Sequence, residues 1–296
     1  MAYSSPGKQK GLALLVAMLI VVLVATVAVS ILHEEKFTLR KTAHIQGMDR
    51  ARLYAIGLED WARVFLRKDR EKSDIDSLDE DWAIGVPGLP IEGGYLAGYL
   101  EDEQAKFNLN SVVVSDLQVE RFRRLCRNLE VDDIFIPALI DWIDQDFEVT
   151  YPDGMEENYQ DYRVANRELT DISELLLVHN VTPEMYEKLK PYITALPATT
   201  TINVNTMSEV IFRSLGEEGD VKQFIEAREE EAYSSVEDFV ERLQLPIDAE
   251  GLSVGTNFFR AHGQVVQGEQ VVNLNTLVYR DDKGGTSIYN RSLGLF

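Results

Sequence analysis

The spacing of apolar positions changes twice along the chain. Residues 12–32 carry no charge, and Thr26 and Ser30 alone break an apolar run. At 1.5 Å per residue this stretch makes about 30 Å of helix, the thickness of a bilayer core. Beyond it Phe37, Ile45, Met48, Tyr54, Ile56, Leu58, Trp61 and Phe65 keep near-helical spacing, which predicts one helix from residue 12 to about residue 68. A helix of that length belongs half to a membrane and half to a packed domain.

The period then shortens. "GGYLAGYLEDEQAKFNLN", residues 93–110, reads as a strand from its aromatic, alternating character between glycines. Its partners come only at the end of the chain, in "TNFFRAHGQVV", "EQVVNLNTLVYRDD" and, after "KGG", "TSIYNRSLG". Residues 111 to about 250 read as helical: "VSDLQVERFRRLCRNL", "DDIFIPALIDWIDQD", "DISELLLVHN", "TPEMYEKLKPYI", "NTMSEVIFRSL", "DVKQFIEAREEE" and "SVEDFVERL". Thr182 before Pro183, and Ser235 before Glu237 and Asp238, are N-cap signals. A sheet split in this way contains an insertion. "FNLN" at 107 and "INVN" at 202 each precede a helix, so the insertion reads as two small helical units in tandem; "VNLN" at 272 shares the pattern inside an expected strand.

Composition is that of a globular protein outside the apolar run, with 45% hydrophobic and 27% charged residues among 296. The net charge of −21 opposes binding to nucleic acid or to an anionic lipid surface and suits a soluble face or cation binding. Cys126 is the single cysteine, so no internal disulfide forms, and its place in "RFRRLCRNL" suits burial on a helix face. Four scattered histidines give no zinc spacing. No nucleophile elbow, Gly-rich phosphate loop or Ser/His/Asp set is present, which argues against an enzyme.

The apolar run has a distinctive beginning. Lys8 and Lys10 precede it, so the positive-inside rule favours a cytoplasmic N-terminus, although Lys36, Arg40 and Lys41 dilute the bias. A basic leader ending in Gly with the apolar helix starting at the next residue resembles the class III leader of type IV pilins and pseudopilins. The resemblance implies cleavage by prepilin peptidase between Gly11 and Leu12 and N-methylation of Leu12. Most pilins carry Glu at the fifth mature position, where this chain has Val16. Such a Glu neutralises the amino terminus of a neighbouring subunit within an apolar bundle, where an unpaired charge is costly. A subunit without it needs no subunit ahead of it, which resembles the K-type minor pseudopilin at the tip of the type II secretion pseudopilus.

The acidic segment carries the resemblance further. Eleven acidic residues and no Lys or Arg lie between Glu130 and Asp161. Carboxylates so placed repel one another unless they are solvated or hold a hard cation, and Ca²⁺ takes six to eight oxygens. An EF-hand does not fit: counted from Asp144, the sixth position is Val149 and the twelfth Met155. K-type pseudopilins show D-W-x-D-x-D, then G-A-E-D, a Tyr, Y-R-x-x-N and a D-V-S-E-L helix, with calcium bound within the segment. Asp141-Trp142-x-Asp144-x-Asp146, Tyr162-Arg163, Asn166 and Asp171-Ile172-Ser173-Glu174-Leu175 match; Gly154-Met155-Glu156-Glu157 matches loosely, and Asp161 stands where a Pro is usual. The implied ligands are Asp144, Asp146, Glu156 and Asn166, then Glu157 and Asp161, for one or two Ca²⁺ ions. Asp141 reads as a solvated or capping carboxylate.

The fold implied is α+β: a pilin-like long N-terminal helix packed on an antiparallel sheet, interrupted by a large all-helical, sterile-alpha-motif-like (SAM-like) insertion. The leader occupies 1–11 and the membrane part of the helix 12–32. The pilin-like domain takes 33–106 and 251–296, and the insertion 107–250, as units of about 107–200 and 201–250. The expected function is a minor pseudopilin at the pseudopilus tip that assembles with I-type and J-type minor pseudopilins to initiate and cap the filament for protein export. It would sit in the inner membrane of a Gram-negative bacterium as a single-pass chain, its bulk periplasmic. Two rivals stand beside it. "TINVNTMSEVIFRSLGEEGDVKQFIEAREEEAYSSVEDFV" resembles the helix-hairpin-helix of membrane-anchored DNA receptors, but "LGEEGD" puts three acids where phosphate would bind. A plain single-pass periplasmic scaffold would keep its N-terminus uncut. Intact-mass measurement and N-terminal sequencing of the protein from cells containing prepilin peptidase separate these: a start at methylated Leu12 is expected, and retention of residues 1–11 refutes the pilin-like reading.

Overall fold

The computed structural model describes residues 9–146, 148–152, 154, 163–216, 220–244 and 246–295. A single helix, α1 (Gln9–Arg70), runs 62 residues, about 93 Å at the α-helical rise. Its N-terminal half stands free, and its C-terminal half lies across a five-stranded antiparallel sheet of β1 (Val86–Ile91), β2 (Gly94–Asp102), β7 (Phe258–Gln267), β8 (Gln270–Arg280) and β9 (Thr286–Leu295), in the order β1-β2-β7-β8-β9.

Small residues seat the helix on the sheet. Ala51, Ala55, Leu58, Ala62 and Leu66 recur at helical spacing and are all buried. Leu58 fills a notch over Gly98 and Gly263, neighbours in the β2–β7 register, where a Cβ on either glycine would collide with its side chain. Two buried acids on the same helix fix the register against β8 and β9. Glu59 accepts from Thr276 Oγ1 (2.9 Å) and is held in a two-pronged pair by Arg291, and Asp69 pairs with Arg280 (3.0 Å).

The insertion fills the connection between β2 and β7. Asp102, the last residue of β2, lies opposite Phe259, so the excursion leaves and rejoins the sheet between adjacent strands. It contains β3 (Phe107–Asn108), α2 (Asp116–Asn128), α3 (Ile136–Ile143), α4 (Pro183–Leu189), β4 (Ile193–Thr194), β5 (Ile202–Asn203), α5 (Glu209–Leu215), α6 (Val221–Glu230), α7 (Val236–Leu243) and β6 (Leu252–Ser253). Thr182 and Ser235 accept from Met185 N and Asp238 N, as N-caps do. One apolar cluster runs through both units, with Phe107 stacked on Phe122 (5.0 Å) and Phe212 on Phe224 (4.3 Å). Cys126 is fully buried in it, and burial pushes its thiol up to about 12.

The tandem repeat has a structural basis. In each unit the first Asn caps its own turn: Asn108 Oδ1 accepts from Asn110 N (3.2 Å), and Asn203 Oδ1 from Asn205 N (3.0 Å). The second Asn grips a distant backbone through a reciprocal pair of bonds. Asn110 does so at Leu169 (3.0 and 2.8 Å) and Asn205 at Tyr233 (3.0 and 2.8 Å). The residue after each gripped position is held by an acid four residues further on, Glu174 for Thr170 and Asp238 for Ser234. A two-residue parallel ladder closes each unit, β3 with β4 and β5 with β6. Because β6 belongs to the second unit, the chain rejoins the main sheet at Phe258 rather than at the expected 251. The third motif, at 272–275, lies within β8 and makes no such unit.

Three further differences from expectation have local causes. The segment "DISELLL" forms a 3₁₀ turn, Ile172–Leu177, because Asp171 Oδ1 caps Ser173 two residues on and tightens the turn. The predicted strand at 93–110 ends at Asp102 and continues as 3₁₀ turns around β3. β1, "VPGLPI", was hidden by its prolines, which an edge strand tolerates.

A buried polar joint holds the insertion to the sheet. Arg280, 1% exposed, binds both carboxylate oxygens of Asp76 (2.5 and 2.6 Å) and one of Asp69, and donates to Thr256 O (2.9 Å). Asp76 Oδ2 in turn accepts from Thr256 N (2.8 Å), and its backbone carbonyl from Asn203 Nδ2 (3.0 Å). Asp102 accepts from Gln104 N, Thr206 Oγ1, Thr256 Oγ1 and Asn203 Nδ2. Burial pushes its carboxyl up to about 6 against the pull of those donors, and it pushes Asp69, Asp76 and Glu80 up as well. Asp69, Asp76 and Glu80 approach one another closely enough to hold a metal, but the Arg280 guanidinium already supplies the cation there. Removing one partner of a buried ionic network strands the others, at a cost of about 3–5 kcal/mol. Arg280→Met is therefore expected to lower the unfolding free energy by roughly that amount in denaturant titrations of the full chain in detergent. A change under about 0.5 kcal/mol, the range of an ordinary surface substitution, would remove Arg280 from this role.

Candidate functional site

The N-terminal half of α1 is one candidate. The most apolar 18-residue window of this helix has a mean hydropathy of 3.2 and none of it is buried, so length and composition allow it to cross a membrane. Gly11 and Leu12, the expected cleavage pair, are consecutive residues of α1 near its start, and Leu12 and Val16 are 67% and 50% exposed. Apolar exposure continues above this span: Phe37, Leu39 and Ile45 are exposed, then Leu53 and Val64 on the face turned away from the sheet. Trp61 stacks on Phe65 (5.1 Å) beside them.

The acidic loop is the second candidate, and three of its six predicted ligands can be placed. α3 ends at Ile143, and Asp144 is the C-cap, its N–H on Ile140 O (2.9 Å). Asp146 turns the chain, its Oδ1 accepting from Glu148 N (2.8 Å). Asn166 takes a left-handed conformation (φ 44°), which Asn tolerates, and its Nδ2 donates to Asp146 O (2.9 Å). The structure thus joins Asp146 and Asn166 across 20 residues and leaves the Asn166 amide oxygen without a hydrogen bond among the described residues. Glu156, Glu157 and Asp161 lie outside the described residues. Among the described residues, no three acidic groups of this loop converge on one point.

Asp141 is a correction to the sequence reading. It is fully buried rather than solvated, and its Oδ1 accepts from Thr150 N (2.9 Å). Its Oδ2 is buried with no hydrogen-bond partner among the described residues. Gly154 closes over it: the glycine N–H donates to Thr150 O (2.7 Å), and a Cβ at 154 would collide with Asp141 Oδ2 and Thr150 O. One signal was legible, since Asp141 lies three residues from Ala138 on a helix that is buried almost all round. An orphaned buried carboxylate oxygen calls for a proton or a cation. The loop offers carboxylate, amide and backbone oxygens, no imidazole and no thiolate, its one sulfur being the Met155 thioether, a donor set that suits a hard cation such as Ca²⁺. The residues present fit that ion.

Comparison with known proteins bears on both candidates. Models of the family described as type II secretion system (T2SS) protein K match residues 105–198 and 202–255. Type II secretion system protein K of Pseudomonas aeruginosa is 30% identical over 97% of this chain and 93% of its own length. The protein of the same name from Pectobacterium carotovorum is 33% identical over 68% of each chain. Among solved structures, a chain of the GspK-GspI-GspJ complex from the enterotoxigenic Escherichia coli type 2 secretion system superposes with a TM-score of 0.78 at 26% identity. The superposition covers 86% of this chain and 99% of that one. With relatedness running from the apolar helix to the last strands, the chain belongs to the protein K family of the type II secretion system.

Proposed function

We propose that this chain is the tip subunit of the pseudopilus, a minor pseudopilin that works by assembly. The observation that carries this is α1: an unburied apolar helix whose exposed stripe continues past the membrane span to Leu53 and Val64. Such a helix finds its lowest free energy against other apolar helices, first lipid and then subunit. The solved relative is in complex with GspI and GspJ, and the corresponding I-type and J-type subunits are the partners proposed here. Val16 supplies position, because a subunit without an acid there neutralises no amino terminus ahead of it. The insertion supplies shape, a cap mounted on the sheet through the Arg280 and Asp102 joint. In this reading prepilin peptidase cuts between Gly11 and Leu12, the N-terminus is cytoplasmic, and the bulk of the chain lies in the periplasm.

The test is co-purification of the full chain with its I-type and J-type partners. Leu53 is 68% exposed and touches no core, so Leu53→Glu is expected to leave thermal stability unchanged while recovery of the partners falls about tenfold, as burial of a charge in an apolar seam requires. Undiminished recovery would move the assembly surface off this face.

We further propose that Asp144, Asp146, Asn166, Glu156, Glu157 and Asp161 hold one or two Ca²⁺ ions, with the buried Asp141 oxygen as an added donor. The ion would relieve carboxylate repulsion and fix the loop against α3. At a Ca²⁺ concentration about 100 times Kd, mass action stabilises a fold by about 2.7 kcal/mol. Chelation is expected to lower Tm by several degrees in the wild type and to have no effect in Asp144→Asn/Asp146→Asn. A Tm indifferent to Ca²⁺ in the wild type defeats the site.

A further inference from the structure

The sheet face turned away from α1 carries a cleft that assembly through the helix does not use. Phe259 and Val278 pack under α1, so their chain neighbours Phe258 and Tyr279 point to the opposite face, where they lie directly across from each other in the β7–β8 register. Tyr279 is in turn opposite Ser287 of β9. Over this corner of the sheet passes the linker of residues 197–201, which leads from β4 to β5 and joins the two helical units. Linker and sheet corner enclose a cleft of 580 Å³, within the range of about 300–1,000 Å³ usual for ligand sites.

Its walls are fixed by buried bonds. The buried Gln104 clamps the linker to the sheet: its Nε2 donates to Thr201 O (2.9 Å), and its Oε1 accepts from Asn257 N (2.7 Å) and Phe258 N (3.2 Å). A turn from Thr200 N to Pro197 O (2.9 Å) and a bond from Ala198 N to Glu168 (3.0 Å) set the path of the linker. Phe258 packs on Leu196 and Leu277 and touches the rings of Tyr279 and Tyr289, with centroids 5.1 and 5.6 Å away. Tyr289 stands at 88° to Phe258 and is 56% exposed, so at least one face of its ring is open.

The lining restricts what can bind. No residue that lines the cleft carries a charge, in a chain of net charge −21, so a phosphate, a carboxylate or an ammonium meets no counter-charge in its walls. The hydroxyls of Thr199, Thr200, Ser287, Tyr279 and Tyr289 make no hydrogen bond within the protein among the described residues, and each can both donate and accept. The open Tyr289 face is the negative side of the ring quadrupole and attracts C–H groups. A pyranose ring supplies both partners: a rim of hydroxyls that donate and accept, and an apolar C–H face. A polyproline segment would use the rings, but it brings carbonyl acceptors and no N–H to donate.

We propose that this cleft binds a neutral glycan, one sugar ring lying on Tyr289 with its hydroxyls bonded to Thr199, Thr200 and Ser287. The neutrality of the ligand matters as much as its shape, because the acidic chain as a whole repels an anionic polysaccharide. Two sources share this chemistry, the N-acetylated amino-sugar chains of a cell wall and plain hexose polymers. The site is independent of the proposed assembly face, since α1 lies on the other side of the sheet.

The test is calorimetric titration of the full chain, held in a detergent without a sugar headgroup, with chitohexaose, maltohexaose and decaproline. Saturable binding of at least one sugar is expected; the N-acetylated oligomer would assign a cell-wall type of glycan and the plain one a hexose polymer, and either upholds the site. Tyr289→Ala should weaken binding about tenfold and Thr199→Ala/Thr200→Ala severalfold, with Tm unchanged. Tyr99→Ala, which removes a tyrosine of similar exposure (54%) elsewhere on the same sheet face, should bind as the wild type does. If Tyr289→Ala fails to fold, the threonine pair decides by the same measure. Binding of neither sugar, undiminished affinity in folded Tyr289→Ala, an equal loss in Tyr99→Ala, or tighter binding of decaproline than of both sugars would each overturn the proposal.

Discussion

The ion pair between Arg280 and Asp76, with Asp69 on its flank, holds four parts of the chain at one point. Asp69 ends the long helix, Asp76 lies in the loop after it, Arg280 closes β8, and Thr256, which Arg280 also binds, is the last approach to β7. Asn203, at the start of the second helical unit, bonds both the Asp76 backbone and the Asp102 carboxylate. A guanidinium this deeply buried is tolerated only because nearly every donor finds an oxygen. The consequence is mechanical: an insertion of about 150 residues, tethered by two adjacent strand ends, is oriented by buried directional bonds rather than by its covalent tethers.

That rigidity connects the two ends of the molecule. The apolar half of α1 is unburied and has no partner among the described residues, and its upper half is locked to the sheet by the Leu58 notch and by Glu59 with Arg291 and Thr276. Movement of the helix out of a membrane therefore carries the sheet with it, and the Arg280 joint carries the insertion. The acidic loop sits at the end of α3, away from these bonds, held by Asp141, Thr150 and the Asn166 bridge to Asp146.

The two helical units show how a faint sequence repeat becomes architecture. Only the Asn-x-Asn core is shared by eye, yet each Asn does the same work in both units, the first capping its own turn and the second gripping a distant backbone. Asn serves here because its amide donates and accepts at once, so it can satisfy both the N–H and the C=O of a buried residue such as Leu169 or Tyr233.

The sequence by itself determined what depends on period and local chemistry. The length of α1, the strands after residue 256, the helical character of the insertion and the caps at Thr182 and Ser235 follow from spacing and short-range hydrogen bonds. The matching segments from Asp141 to Leu175 pointed to the family before any coordinates did. Tertiary structure decided what depends on meeting distant residues. Asp141 read as a solvated or capping carboxylate, and burial removes the first of these, because Thr150 and Gly154 fold back over it. Nothing local in the sequence marks Arg280, Asp76 and Asp102 as a buried network, since their partners lie up to 211 residues away. β1 was concealed by prolines that only its edge position permits. His44 meets Gln270, 226 residues further on, a contact that exists only after the sheet has docked on the helix.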